Sequence, residues 1–120
     1  MKALDDVFQL LDRKRRRFAL YYLREAQRPV SVDELAATIA EWEADSAVAA
    51  DEFVEFDDVV LTLKHQHLPK AARTEFVEYD PEESVVRMTG SPPEFSVILS
   101  VARAIEQPEG DDILRLGDRI

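Results

Sequence analysis

Two histidines and several polar side chains stand close together between residues 62 and 74. His65 and His67 invite comparison with a metal site, but residues two apart on a helix diverge by about half a turn and cannot share one ion. Cysteine is absent, so there is no thiolate nucleophile and no thiolate metal cage. No carboxylate pair stands beside a glycine-rich turn or at a metal-ligand spacing. We therefore expect no catalysis, no metal and no other cofactor.

Acidic residues dominate the charge of the chain. Asp and Glu number 25 against 15 Lys and Arg, the formal net charge is -10, and few of the basic residues are lysine. An acid-rich, lysine-poor surface is typical of a salt-accumulating cytoplasm, where carboxylates hold hydrated cations and net charge maintains solubility. An ordinary acidic protein is the alternative. In molar salt the Debye length falls to about 3 Å, so this net charge argues only weakly against binding a polyanion.

The length of 120 residues and the hydrophobic content of 46% favour one compact core with an appendage. No apolar run reaches membrane-spanning length, and no apolar signal segment follows residues 1–6. The lack of cysteine fits a reducing compartment. We expect a cytoplasmic protein without membrane contact, with one domain over residues 1–90 and a C-terminal segment, 91–120, that contains a helix and a loose tail.

The spacing of apolar residues predicts one long helix or two short ones over residues 4–26. Pro29 and the residue before it disfavour helical geometry and end this element. Ser31 and Glu34 have the spacing of a capping box and begin the second helical region. Its inward side chains are predicted to be Leu35, Ala36, Ile39 and Trp42. The acidic stretch 43–52 reads as the connection to the next helix.

A third helix is predicted over residues 56–73, with His67 near its apolar stripe as a hydrogen-bonded, partly buried residue. Pro69 should kink this helix or lift its last turn, because the proline ring displaces the carbonyl group of His65. Two strand-like runs follow, 76–79 and 84–88, joined by a turn over 80–83. These elements predict an α+β fold that is mainly helical.

The last predicted helix spans residues 94–106 and is apolar over more of its surface than a small domain can cover. A second copy of the chain is the simplest partner for this surface. The side chains assigned to the dimer interface are Phe95, Ile98, Leu99, Val101, Ala102 and Ile105.

Two segments resemble a known family. "LLDRKRRRFALYYLREAQRPVSVDELA" is similar to the opening of archaeal winged helix-turn-helix regulators, and "LKHQHLPKAARTEFVEYDPEESVVRMT" is similar to their recognition helix and wing. More specifically, the chain resembles small haloarchaeal winged-helix domains of uncharacterised function that carry an "HLPK" segment. The similarity covers about residues 3–89. It departs at Ala71, where leucine is usual, and at Thr74-Glu75, where glycine is common, so a left-handed turn is expected to fall on Glu75 at some cost.

The resemblance implies that the third helix faces the major groove of duplex DNA. Gln can pair with adenine, Arg with guanine, and Thr can touch a thymine methyl group. The alternative is that a solvent-exposed helix carries polar residues in any case, and Asp57 and Asp58 at its start disfavour close contact with DNA. The candidate DNA-binding residues are Thr62, Lys64, His65, Gln66, Lys70 and Arg73 of this helix and Arg87 of the wing.

The basic run "DRKRRR", residues 12–17, has two interpretations. Arginines can contact phosphates, which receive more than half of protein–DNA hydrogen bonds. The resemblance instead places this run on the side away from the recognition helix, which favours ion pairs with carboxylates.

Two hypotheses about function follow. The first is a homodimeric transcription regulator from a halophilic archaeon, with the winged helix-turn-helix fold, a C-terminal dimerisation helix and double-stranded DNA as its partner. The second is a protein-interaction module that keeps this fold without binding DNA and engages another regulatory protein.

Overall fold

The structure is a computed structural model that describes residues 4–45 and 54–108. Its architecture is α+β and mainly helical, with a small three-stranded antiparallel sheet, a layout compatible with a winged helix. The predicted connection over 43–52 and the tail after residue 108 lie largely or wholly outside the described residues. The elements in chain order are α1 Leu4–Leu11, α2 Lys14–Ala26, β1 Val30–Ser31, α3 Val32–Asp45, α4 Phe56–Thr62, a π-helical turn Leu63–His67, α5 Leu68–Ala71, β2 Val77–Asp80, β3 Val85–Met88 and α6 Pro93–Glu106.

The first helical region consists of two helices, α1 and α2, as one of the two predicted arrangements. Helix α2 ends where the sequence indicated, because Gln27, two residues before Pro29, adopts a left-handed conformation with φ of 53°. The predicted start of α3 is confirmed by the Glu34 amide, which donates to Ser31 Oγ at 3.0 Å. All four side chains predicted to face inward from α3 are buried.

Elements α4, the π-helical turn and α5 follow one another without a break and form one composite helix, residues 56–71. The predicted irregularity near Pro69 takes the form of this π-helical turn. The amide of Leu68 donates to the carbonyl of Leu63, five residues earlier. Proline has no amide hydrogen to donate, and the wider turn immediately before it accommodates this gap in the hydrogen-bond ladder.

The predicted hairpin is confirmed, and its strands β2 and β3 pair antiparallel. The Asp80 carboxylate stabilises the intervening turn by accepting hydrogen bonds from the amides of Glu82 and Glu83. A third strand, β1, was not predicted. It pairs with β3 so that Val30 lies opposite Val86, and its two residues are too few to show an alternating pattern.

The turn that leads into the hairpin differs from the expectation that Glu75 would be left-handed. Among the described residues, the non-glycine residues with positive φ are Gln27, Ser84 and Gln107. The Thr74 hydroxyl group instead donates to the carbonyl of Ala71 at 2.7 Å and accepts from the amide of Phe76 at 3.2 Å. This side chain closes the turn without a strained backbone.

Helix α6 packs on the hairpin through two stacked phenylalanine rings. The ring centroids of Phe76 and Phe95 are 4.1 Å apart, and the planes differ by 4°. Phe95 and Leu99, which the sequence assigned to a dimer interface, are therefore buried in the chain's own core. Among the described helices, none is both long enough and apolar enough to cross a membrane.

Candidate nucleic-acid interface

The composite helix buries one side and exposes the other. Its buried side chains include His67 and Leu68, which are consecutive in sequence. An α-helix separates consecutive side chains by about 100°. Both residues lie against the core, as consecutive positions of an apolar helix face can. The exposed residues of the second half are His65, Gln66, Pro69 and Lys70, and Arg73 is exposed just beyond the helix end.

The structure brings four of the seven predicted DNA-binding residues onto this exposed surface, which we call the reading face: His65, Gln66, Lys70 and Arg73. Lys64 is half-buried at its border. None of these side chains forms an ion pair or a side-chain hydrogen bond with the rest of the described chain. Their polar groups are therefore available to a ligand.

Thr62 is placed differently from the residues of the reading face. Its hydroxyl oxygen accepts a hydrogen bond from Arg15 Nη1 at 2.8 Å, and the hydroxyl group donates to the carbonyl of Val59 at 3.2 Å. Arg15 also pairs with Asp58, one of the two carboxylates at the start of the helix, at 3.2 Å. Thr62 therefore serves a contact between α2 and the composite helix in the free protein.

Arg87 lies on strand β3 and is separated from the reading face by the turn that leads into the hairpin. Its guanidinium group pairs with the Glu78 carboxylate at 2.7 Å, across the two strands. The exposed hairpin tip carries Asp80, Glu82 and Glu83. This surface has no excess positive charge with which to enter a DNA groove.

The basic run at the start of α2 forms ion pairs, as one of its two interpretations predicted. Arg15 holds the Glu43 carboxylate with two hydrogen bonds of 2.7 Å each, which joins α2 to α3. Arg17 holds the Glu106 carboxylate with bonds of 2.8 and 2.9 Å, which joins α2 to the end of α6. These paired arginines fix the helices relative to one another and are not free to contact phosphate.

Glu106 and Tyr21 show how closely the end of α6 is held. The Tyr21 hydroxyl group donates to the same carboxylate that Arg17 binds. Burial of Glu106 opposes its ionisation, but the hydrogen bonds from Arg17 and Tyr21 outweigh burial and lower its pKa. Burial and the donated hydrogen bond raise the pKa of Tyr21.

Arg16 is the buried member of the basic run, with 1% of its surface exposed. Its guanidinium group donates to the carbonyls of Gln9 and Leu10 at 2.6 Å each and to the Asp12 carboxylate at 2.8 Å. Its Nη1 atom also lies 3.3 Å from Nδ1 of His67. Arg16 thereby links α1 to the composite helix directly behind the reading face.

His67 is buried, as its place on the apolar stripe predicted. The pKa of His67 is lowered to about 4, first by burial and then by the nearby charges of Arg16 and Arg15. The imidazole is neutral near pH 7, and its Nδ1 atom accepts from Arg16 because a guanidinium group can only donate. His67 is a structural residue behind the face that His65 helps to form. No group of three or more His, Asp or Glu side chains able to hold a metal occurs in the described part of the chain.

Helix α6 presents a second exposed surface. Val97, Val101 and Ile105 are among the most exposed large apolar residues of the described chain. They are spaced four residues apart and share one side of the helix. Ile98 and Ala102 are half-buried and pack against the core. Of the six predicted interface residues, Val101 and Ile105 therefore lie fully outward, and Val97 joins them.

Residues 8–87 match the family model described as Domain of unknown function (DUF7344). The chain belongs to the DUF7344 family. No curated protein and no solved structure matches the chain. The DUF7344 match begins within α1 and ends within β3, so it includes Arg16, His67 and the reading face. Helix α6 lies beyond the matched residues.

Two side chains near the reading face of this DUF7344 chain were not predicted from sequence. Asp6 and Gln9 of α1 line a groove together with Lys70 and Arg73. Nothing in the local sequence of α1 indicates this, because the two segments are more than 60 residues apart. The sequence did contain a signal for the ion pair beside this groove, because Asp12 and Arg16 are four residues apart, a spacing at which opposite charges can pair.

Proposed function

We propose that this protein is a DNA-binding transcription regulator with a winged helix-turn-helix fold. Helices α2 and α3 precede the composite helix, and the β2–β3 hairpin follows it in the position of a wing. The composite helix is then the recognition helix, and the reading face is the surface that enters the major groove. The order of elements and the exposed polar residues support this assignment.

The observation that carries the proposal is the distribution of paired and unpaired cations. In the described residues, Arg15, Arg16, Arg17, Arg28, Arg87 and Arg103 all pair with the chain's own carboxylates. Lys64, Lys70 and Arg73 have no such partner within the described part of the chain. The other described cations without a carboxylate partner are Arg13 and Lys14 at the start of α2 and Arg24, which donates to Ser96 and Ser100. In a protein of net charge -10, three unpaired cations grouped on one helix and its end favour an anionic ligand at that place.

Base recognition falls to Gln66 and Arg73 in this proposal. Gln66 can pair with an adenine edge and Arg73 with a guanine edge in the major groove. His65 lies beside them, and Lys64 and Lys70 are within reach of the backbone. Arg87 remains a candidate only where DNA displaces its Glu78 partner, since the acidic hairpin tip repels phosphate.

High salt is the second part of the proposal. We assign the acidic surface to a halophilic archaeal cytoplasm, where the gain from counterion release that normally drives DNA binding is small. Affinity then depends on shape and on short-range hydrogen bonds rather than on long-range attraction. The exposed apolar surface of α6 provides the contact for a homodimer, which matches two DNA half-sites.

Fluorescence anisotropy tests the proposal. The protein is titrated against labelled DNA from upstream of its own gene and against a scrambled duplex, in multimolar KCl. We expect selective binding to the upstream DNA, and we expect the double variant Gln66→Ala/Arg73→Ala to lose it while the oligomeric state is unchanged. Lys14→Gln is the control, because Lys14 lies over the Phe18 ring at the start of α2 and is not one of the residues of the reading face. Retained selectivity in the double variant would rule out this reading face.

A second function is favoured by a different observation. The acidic hairpin tip and the exposed apolar face of α6 suit a protein-interaction module that engages a regulatory partner. A folded protein that binds neither duplex in the titration would support this alternative.

A further inference from the structure

A groove separates α1 from the C-terminal end of the composite helix. It has a volume of about 280 Å³, which is at or below the lower limit for a drug-sized ligand. Polar side chains form most of its lining, so it suits a small charged group. The lining residues are Asp6, Gln9, Leu10, Lys70, Arg73 and Thr74.

The buried Arg16 holds the two walls of this groove together. On one wall it donates to the backbone carbonyls of Gln9 and Leu10. Toward the other wall it contacts Nδ1 of His67, one turn before Lys70. The separation of the walls is therefore set within the core before a ligand arrives, and a preorganised site loses little entropy on binding.

The two cations of the groove are positioned by consecutive turns at the end of the composite helix. The Arg73 amide donates to the carbonyl of Lys70 at 3.2 Å, and the Thr74 amide donates to the carbonyl of Ala71 at 3.1 Å. This continued turn keeps Lys70 and Arg73, three residues apart, on one side of the chain. Neither has an ion-pair partner in the described residues, so the groove offers two cationic donors to an anion.

Asp6 opposes these cations from the α1 wall. It is exposed and lines the groove, whereas its neighbour Asp5 is exposed but does not line it. A carboxylate here repels a bound phosphate and partly cancels the attraction of Lys70 and Arg73. The groove would therefore bind a phosphate group more weakly than its two cations alone would allow.

We propose that the groove holds one backbone phosphate of bound duplex DNA, with α1 as a second DNA-contacting element and Asp6 as the residue that limits affinity. This inference rests on the proposed function, since it requires that the composite helix binds DNA. It assigns Lys70 and one edge of the Arg73 guanidinium group to the phosphate, and leaves the remaining N–H donors of Arg73 for a guanine edge. Gln9 supplies a neutral donor on the opposite wall.

Anisotropy titrations of four single variants test this assignment, with the unfolding midpoint of each measured to confirm that the fold is retained. We expect Lys70→Gln to weaken binding to upstream and scrambled DNA by the same factor, and to reduce the salt slope of log K by about 1. The charge-matched control Lys14→Gln should leave the salt slope unchanged. Asp6→Asn should strengthen binding about two- to fivefold at moderate salt, and its neighbour control Asp5→Asn should have a smaller effect.

Backbone amide chemical shifts locate the contact. Addition of duplex should move the amide signals of residues 6–10 and 70–74 in the wild type, and Lys70→Gln should diminish these changes. The groove proposal would be overturned if Asp6→Asn and Asp5→Asn had equal effects on affinity. It would also be overturned if duplex bound without moving these amide signals. Neither outcome would contradict DNA binding itself. The proposal would also be overturned if potassium phosphate, but not duplex, moved the amide signals of the groove residues, since the site would then bind a free anion. Failure of the wild type to bind any duplex would instead contradict the proposed function itself.

Discussion

Nη1 of Arg16 lies 3.3 Å from Nδ1 of His67 in the core, which joins the start of α2 to the middle of the composite helix. Both residues are buried. The contact requires a neutral imidazole, because Arg16 can only donate. The orientation of the reading face therefore depends on a polar contact directly behind it.

Replacing Arg16 with methionine should strongly destabilise the protein. The carbonyls of Gln9 and Leu10 would lose their donor in the core, and we expect a loss of about 3–5 kcal/mol in the free energy of unfolding. Urea denaturation at pH 7 measures this loss. The neighbouring Arg13→Met, which changes an exposed residue, should stay within about 0.5 kcal/mol of the wild type. Similar losses for the two variants would show that Arg16 does not anchor these helices.

The stability of the protein should fall as the pH drops from 6.5 to 4. The folded-state pKa of His67 is lowered from 6.5 to about 4, first by burial and then by Arg16. Over this range the unfolded state binds a proton that the folded state does not, so the free energy of unfolding falls by at most about 3 kcal/mol. Above pH 6.5 this group contributes no pH dependence.

Urea denaturation at pH 7 and at pH 4.5 tests this expectation, with His67→Gln as the informative variant. Glutamine cannot be protonated in this range, and its carbonyl can accept from Arg16, so the variant should lose less stability on acidification than the wild type. The pKa of Glu106 is lowered by Arg17 and Tyr21, so the stability that its ionised form contributes is lost near and below pH 4.5. This loss occurs equally in the wild type and in His67→Gln, and it cancels when the two are compared. His65→Gln should retain the wild-type loss, and an identical loss in His67→Gln would contradict the assignment.

Truncation of Phe95 should detach α6 from the hairpin. Phe95→Ala removes the ring that stacks on Phe76, and we expect a loss of about 3–5 kcal/mol in the free energy of unfolding. Val97→Ala, two residues away and largely exposed, should change stability by less than about 0.5 kcal/mol. Urea denaturation of both variants gives the comparison. A small effect of Phe95→Ala would mean that α6 is not held by this pair in solution.

The proposed dimer should dissociate when a charge enters the exposed face of α6. Val101→Asp places a carboxylate at the centre of that face, and light scattering should show a monomer. Leu61→Asp is a matched control, because Leu61 is 55% exposed and Val101 is 54% exposed. Ile98 is half-buried, so a charge there would also disturb the fold. A dimer that survives Val101→Asp would exclude this surface as the interface.

Most of the helices and the hairpin could be predicted from local pattern. The Ser31 and Glu34 spacing located the start of α3, and Pro81 in the turn between the two strand-like runs located the hairpin loop. Strand β1 was missed because two residues carry no periodic signal, and its pairing with β3 is a contact between distant segments. The same limit explains why Asp6 and Gln9 were not associated with Lys70 and Arg73.

The sequence by itself determined which residues are polar, charged or apolar at each helical position, and so it identified His65, Gln66 and Arg73 as outward and His67 as inward. Only the tertiary structure decided which cations are neutralised, because an ion pair such as Arg17 with Glu106 joins residues 89 positions apart. It also decided which side of α6 is exposed. Phe95 and Leu99 are as apolar as Val101 and Ile105, and packing against Phe76 and the rest of the core chose between them.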